Sequence, residues 1–157
     1  MSTIVLYLAL LLGFPSQQPA PPSGVAAGNA VPSAKLDYEY FKAKVQPIFL
    51  AKRAGHARCI SCHVVPTGAI FQLQKLSPGE TTWDEDQSRK NFDAVSKLVA
   101  LPGNPKSPLL VHPLAETAGG DFFHSGGKHF NSQNDPEWRV MKDWVFGATS
   151  NMRARSK

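Results

Sequence analysis

The stretch Cys59-Ile60-Ser61-Cys62-His63 decides how the rest of the chain is read. Two thiols three positions apart, with a histidine directly after the second, form the C-x-x-C-H signature of covalent haem attachment. Each part has a chemical reason. The thiols of Cys59 and Cys62 reach the two vinyl groups of one haem and become thioethers, and His63 is then placed under the iron as its proximal ligand. The chain has only 2 cysteines, so it offers one such site and no further pair for a disulfide. Competing readings are weaker. A zinc site needs further thiol or imidazole ligands at suitable spacing, and no second Cys pair follows. A thioredoxin-like dithiol belongs at a helix start in a βαβ setting; here the pair lies between an apolar helix pattern and Val64-Val65-Pro66. A disulfide across so short a span is rare.

Working outward, the chain divides near Lys35, its first charged side chain. Residues 1–34 comprise an apolar run, Thr3 to Phe14, and an arm rich in Pro, Ala, Gly and Ser. Such an arm cannot bury a core. The apolar run has the length of a signal-peptide core, and as a helix it would reach only about 18 Å, short of a bilayer. Residues 1–34 are therefore expected to be a signal peptide or an uncleaved anchor with its arm, and 35–157 the folded domain. Export also follows from the attachment motif, which places the protein in the periplasm, on the outer face of the cytoplasmic membrane. Membrane association through residues 1–34 is the corresponding expectation. The net charge of +5 is mild. It suits an acidic redox partner or an anionic membrane surface, and no basic cluster has the form of a nucleic-acid footprint. Lys52-Arg53 and the basic residues Arg153, Arg155 and Lys157 read as solvated faces.

Three helices are predicted. The first runs from Asp37, as N-cap, to about Lys52, with Phe41, Val45, Ile48 and Phe49 on one stripe and Pro47 breaking it near Val45. The second is signalled by a capping box, Thr82-x-x-Glu85, with Phe92, Val95, Leu98 and Val99 on its apolar face and Pro102-Gly103 beyond its end. The third begins at Asp135-Pro136-Glu137, buries Trp138, Met141, Trp144 and Val145, and stops at Gly147. Residues Ile70 to Gln74 alternate briefly, as in a short strand. Leu101 to Asn134 reads as a long loop, which inside a small domain needs an organiser; a flat apolar haem would be one.

With these residues in hand, the chain resembles the c-type cytochromes, and more loosely the cytochrome c domains abundant in Planctomycetes and Acidobacteria. The resemblance covers about residues 36–148 and rests on "VQPIF" at 45–49, "CISCH" at 59–63, "PGNPKSPLL" at 102–110, a Gly-rich loop and "DWVFGA" at 143–148. It implies a mainly α, small cytochrome c-like domain of about three to four helices around one covalent haem c, with long loops. It also implies that first and last helices pack together, and that the distal-ligand loop lies between the attachment motif and the last helix.

The second axial ligand could come from His56, His112, His124, His129, Met141 or Met152. His56 lies close before Cys59, on the proximal side; Met141 is on a core stripe, where Met more often packs; Met152 is in a charged tail. The loop before the last helix has no Met, which departs from the commonest cytochrome c pattern and favours two histidines. Within "GGDFFHSGGKHF" at 119–130, the glycines permit close approach of backbone to a flat ligand, and Phe122, Phe123 and Phe130 could cover its face. His124-Ser125-Gly126-Gly127 resembles the His-Gly-Gly loops of related domains, which makes His124 the distal candidate, with His129 and then His112 as alternatives. Paired carboxylates, a Ser/His/Asp set and a substrate-pocket signature are not apparent, so the expectation is electron transfer and not an enzyme. The protein would serve as a carrier for redox partner proteins or as a subunit of a membrane respiratory or photosynthetic complex. An open sixth position, giving a ligand binder or a peroxidase-like protein, is the rival.

Overall fold

The computed structural model describes residues 35–64 and 71–151. The expected leader and arm, Ile70, Met152 and the basic residues beyond it lie outside the described residues.

Asp37 opens the first helical stretch, its carboxylate accepting the Tyr40 N–H at 2.6 Å and so satisfying one of the donors a helix start leaves orphaned. The stretch has three gauges: α1 (Tyr38–Tyr40), a π-helical turn (Phe41–Val45) and a 3-10 turn (Gln46–Phe49). Pro47 explains the change. It has no N–H to give, and its ring would press on the Ala43 carbonyl, so the chain widens before it and tightens after it. The expected break near Val45 is there, but the helix ends at Phe49 and does not reach Lys52. Phe41, Val45, Ile48 and Phe49 all remain buried.

The attachment motif is itself a single helical turn, α2 (Cys59–His63). α3 (Glu85–Val99) starts from Asp84, in a reciprocal capping box with Gln87. The box predicted at Thr82 and Glu85 is thus displaced by two residues, since a carboxylate at Asp84 is at least as good an N-cap acceptor as a threonine hydroxyl. The polar first turns are helical, with Glu85 and Asp86 at the positive end of the dipole. Beyond Val99 the chain turns through Ala100 (φ 60) and Gly103 (φ 84).

The segment read as loop from Leu101 to Asn134 holds two short helices, α4 (Pro108–Val111) and a 3-10 turn (Glu116–Ala118). Ser107 anchors the first: fully buried, it donates its hydroxyl to the Leu98 carbonyl at 2.9 Å. Farther on, the chain is pinched shut where Leu114 bridges Phe130, with Ala115 N–H on the Phe130 carbonyl and Phe130 N–H on the Pro113 carbonyl. α5 (Pro136–Val145) matches the reading throughout: the Asp135 carboxylate accepts from the N–H groups of Glu137 and Trp138, and Gly147 (φ 89) ends it.

No strand occurs among the described residues. Phe71–Gln74 has no regular secondary structure, and its backbone finds other partners: Leu73 N–H donates to the His63 carbonyl at 2.7 Å and Gln74 N–H to Asn91 Oδ1 at 2.7 Å. The alternation that suggested a strand reflects a chain laid between the motif and α3, with Leu73 inward. The described domain is therefore mainly helical, with five short to medium α-helices. No helix among the described residues is long and apolar enough to cross a membrane.

Aromatic rings join the first helical stretch to α3 and α5. Phe41 lies 5.2 Å from Trp144 and 5.5 Å from Phe92 between ring centres, and Trp144 Nε1–H reaches back to the Asp37 carbonyl at 2.8 Å.

Candidate functional site

A cavity of about 450 Å³ opens beside α2, a volume within the usual range for small-molecule and cofactor sites. Its walls are mostly apolar: Ile48 and Phe49 from the first helical stretch, Leu98 from α3, Leu109 from α4, Phe130 from the loop and Met141 from α5. Into it come Cys59, Cys62, His63, His112, His124 and His129. Cys59, Cys62, His63 and the three favoured distal candidates thus border one space, as does Met141, although His124 and Cys59 are far apart along the chain; His56 does not line it.

Cys59 and Cys62 are free thiols. Burial pushes the Cys59 thiol up, against the lowering effect of the Arg53 guanidinium beside it, while Cys62 is exposed. His63 is oriented by its own neighbour: Nδ1 lies 3.0 Å from the Phe71 carbonyl. A carbonyl can only accept, so Nδ1 carries the proton and Nε2 keeps its lone pair. Burial lowers the His63 pKa, which holds it neutral.

The same arrangement recurs opposite. His124 Nδ1 lies 2.6 Å from the Gly127 carbonyl, leaving Nε2 as the free nitrogen of that ring too. The two imidazoles are 6.2 Å apart between ring centres and within 16° of parallel. Metal–imidazole bonds are about 2 Å long, so ring centres this far apart leave room for one metal atom when the two Nε2 atoms face each other. Backbone carbonyls fixing the second nitrogen are the usual outer support of metal-bound histidines. The donor set and the apolar walls fit a haem carried on Cys59 and Cys62.

His129 is nine-tenths buried, and its Nδ1 has no hydrogen-bond partner among the described residues. Burial, together with nearby His56, His124 and Arg53, lowers its pKa from 6.5 to about 4. The folded state therefore binds fewer protons than the unfolded chain between those values, so stability is full above about pH 6.5 and declines as pH falls towards 4. The buried His63 acts in the same direction. The urea midpoint should hold steady from pH 8 to 7 and drop between pH 6.5 and 4.5. His129→Phe should flatten that decline; an unchanged slope would contradict it.

Several side chains lie elsewhere than expected. His56, although only three residues before Cys59, rests on the His129 ring, 4.9 Å between centres, and so packs with the histidines of the 124–129 loop. His112 lines the cavity, but its Nδ1 pairs with Asp121. Phe130 is buried in the wall, whereas Phe122 and Phe123 are 85% and 69% exposed and cover nothing. Arg53 is not a solvated face: it pairs with Glu137 at the start of α5 and its guanidinium lies 4.6 Å over the Phe130 ring. No pattern in the sequence announces that partnership. His124 and His129 also stand at an H-x4-H spacing found in zinc sites, yet among the described residues no group of three or more His, Cys, Asp or Glu side chains is gathered as a metal ion's ligands.

Comparison with known proteins finds no matching family model, no matching curated protein and no matching solved structure.

Proposed function

We propose that the chain is a one-electron transfer protein carrying a single haem c, joined through Cys59 and Cys62, with the iron held between His63 and His124. The observation that supports this reading most directly is the facing pair itself. Two imidazoles, near-parallel and 6.2 Å apart between ring centres, border the same cavity as the two thiols, each with Nδ1 tied to a backbone carbonyl.

When bound, a haem supplies a ferric/ferrous couple. The chain's own residues do the rest. Phe71 and Gly127 hold two ligand tautomers through their carbonyls, so neither imidazole must turn or lose a proton when an electron arrives. Phe49, Leu98, Leu109 and Phe130 keep water from the cavity walls. Ligation by two histidines gives a lower potential than ligation by His and Met, because a thioether ligand raises it. Arg58 and Lys97, the charged residues of the rim, are both cationic, and the net charge is +5. Both suit an acidic redox partner, in the periplasm or on a membrane complex.

Visible absorption of the exported protein tests this. The expected ferric spectrum is low-spin, with sharp α and β bands on reduction and no change on adding carbon monoxide. A high-spin ferric spectrum that shifts with carbon monoxide after reduction would replace electron transfer by ligand binding or peroxidase-like chemistry. A colourless protein that retains zinc would remove haem altogether.

A further inference from the structure

We propose that His129 is a positioning residue that fixes the plane of the His124 ring, and so keeps the two axial imidazoles near-parallel. The inference rests on the ligand pair proposed above. It follows from how His124 is held. Its Nδ1 is pinned to the Gly127 carbonyl at 2.6 Å, but one hydrogen bond leaves the ring free to pivot about that contact. Two further surfaces close off the pivot. A Cβ placed on Gly126 would meet His124 Cε1 at 3.4 Å and His129 Nε2 at 3.9 Å, so both rings lie against the Gly126 backbone. His129 then meets His124 edge-on, at 67° and 5.8 Å between centres.

That edge is itself supported. The other neighbour of His129 is His56, tilted at 38° and 4.9 Å away. Its backbone leads directly into Phe130, which is pinned at the Leu114 bridge. A nine-tenths buried side chain whose Nδ1 has no partner among the described residues asks for an explanation. As a buttress His129 needs no hydrogen bond, because a rigid flat ring of the right size is sufficient.

The consequence reaches the iron through orbital symmetry. Each axial imidazole donates π density perpendicular to its own plane. Parallel planes therefore load one of the two iron dπ orbitals and split the pair, whereas crossed planes load both and leave them nearly degenerate. Electron paramagnetic resonance of the ferric protein reads this splitting directly. At the observed angle of 16° the wild-type holoprotein should give a rhombic low-spin signal with three resolved g values.

The test compares ferric spectra of the wild-type, His129→Ala and His129→Phe holoproteins. His129→Ala should stay low-spin, since His124 remains, but its signal should move to the strongly anisotropic form with one large g value. His129→Phe should restore the rhombic signal. If His129→Ala folds poorly, His129→Leu makes the same measurement, because it keeps the buried position filled while removing the flat ring that meets His124 edge-on; a shift away from the wild-type g values is expected. An unchanged rhombic signal in His129→Ala, or in His129→Leu where that variant stands in for it, overturns the positioning role while leaving the electron-transfer reading intact. A high-spin His129→Ala protein also overturns it, by making His129 a ligand. A wild-type protein without a low-spin haem signal sinks the underlying reading instead.

Discussion

Changing Cys59 and Cys62 together to serine should release all haem from the polypeptide on denaturation. Wild-type protein should keep its colour through acid-acetone extraction and show haem staining on a denaturing gel, and the double variant should show neither. The effect is all-or-none, because no other cysteine exists to form a thioether. Single variants should separate the two bonds, each leaving one thioether and an α band displaced to longer wavelength by the vinyl group that stays conjugated. The environments differ: Cys59 is partly buried beside Arg53 and Cys62 is exposed. Retention of the stain in the double variant would mean that attachment does not run through this motif.

The second large effect is on the frame. Trp144→Ala should destabilise the domain by about 3–5 kcal/mol, the usual loss for truncating a large buried aromatic. Trp144 is fully buried, its ring contacts Phe41 and Phe92, and its indole N–H ties α5 to the Asp37 carbonyl before α1. The substitution therefore opens a void and breaks the link between the two ends of the fold. Against a total stability of about 5–15 kcal/mol for a typical domain, much of the margin disappears. Urea unfolding measures it, and a change below about 1 kcal/mol would show that the void collapses onto other side chains. Trp144→Phe should recover most of the packing but not the hydrogen bond.

How much of this was legible in the sequence depended on whether the determinant was local. α5 is written in adjacent residues: an acidic cap, a proline at the first position, an apolar face and a stopping glycine, and all of it is found in place. α3 was legible in its face but not in its start, because Thr82 and Asp84 compete for the same role and only the folded backbone shows which carboxylate or hydroxyl meets the free N–H groups. The break at Pro47 was expected; its form as paired π and 3-10 turns was not, since widening depends on what packs around the turn. The strand reading at Ile70–Gln74 failed over its described part because alternation records burial, not pairing, and the donors there find His63 and Asn91. Within the site, the CISCH motif and the histidine-bearing loop stood out by residue type. Phe71 and Gly127 did not, because they act through main-chain carbonyls that every residue has. Arg53 was missed for a related reason: its partners, Glu137 and Phe130, come from distant segments.

The loop that carries His124 is closed at its neck by the Leu114–Phe130 bridge, and Lys128 is bonded across its interior to the carbonyl oxygens of His112 and Asp121 and to the Asp121 carboxylate. Its shape is thus specified by its own bonds, by the ties of Asp121 to Val111 and His112 at the end of α4, and by the packing of His129 on His56. A segment of this kind behaves as a cassette. The exposed tip of its crown, Phe122 and Phe123, can be rewritten without asking anything new of the helical frame. The surface beside the cavity is therefore free to diversify while the residues that line it stay constant.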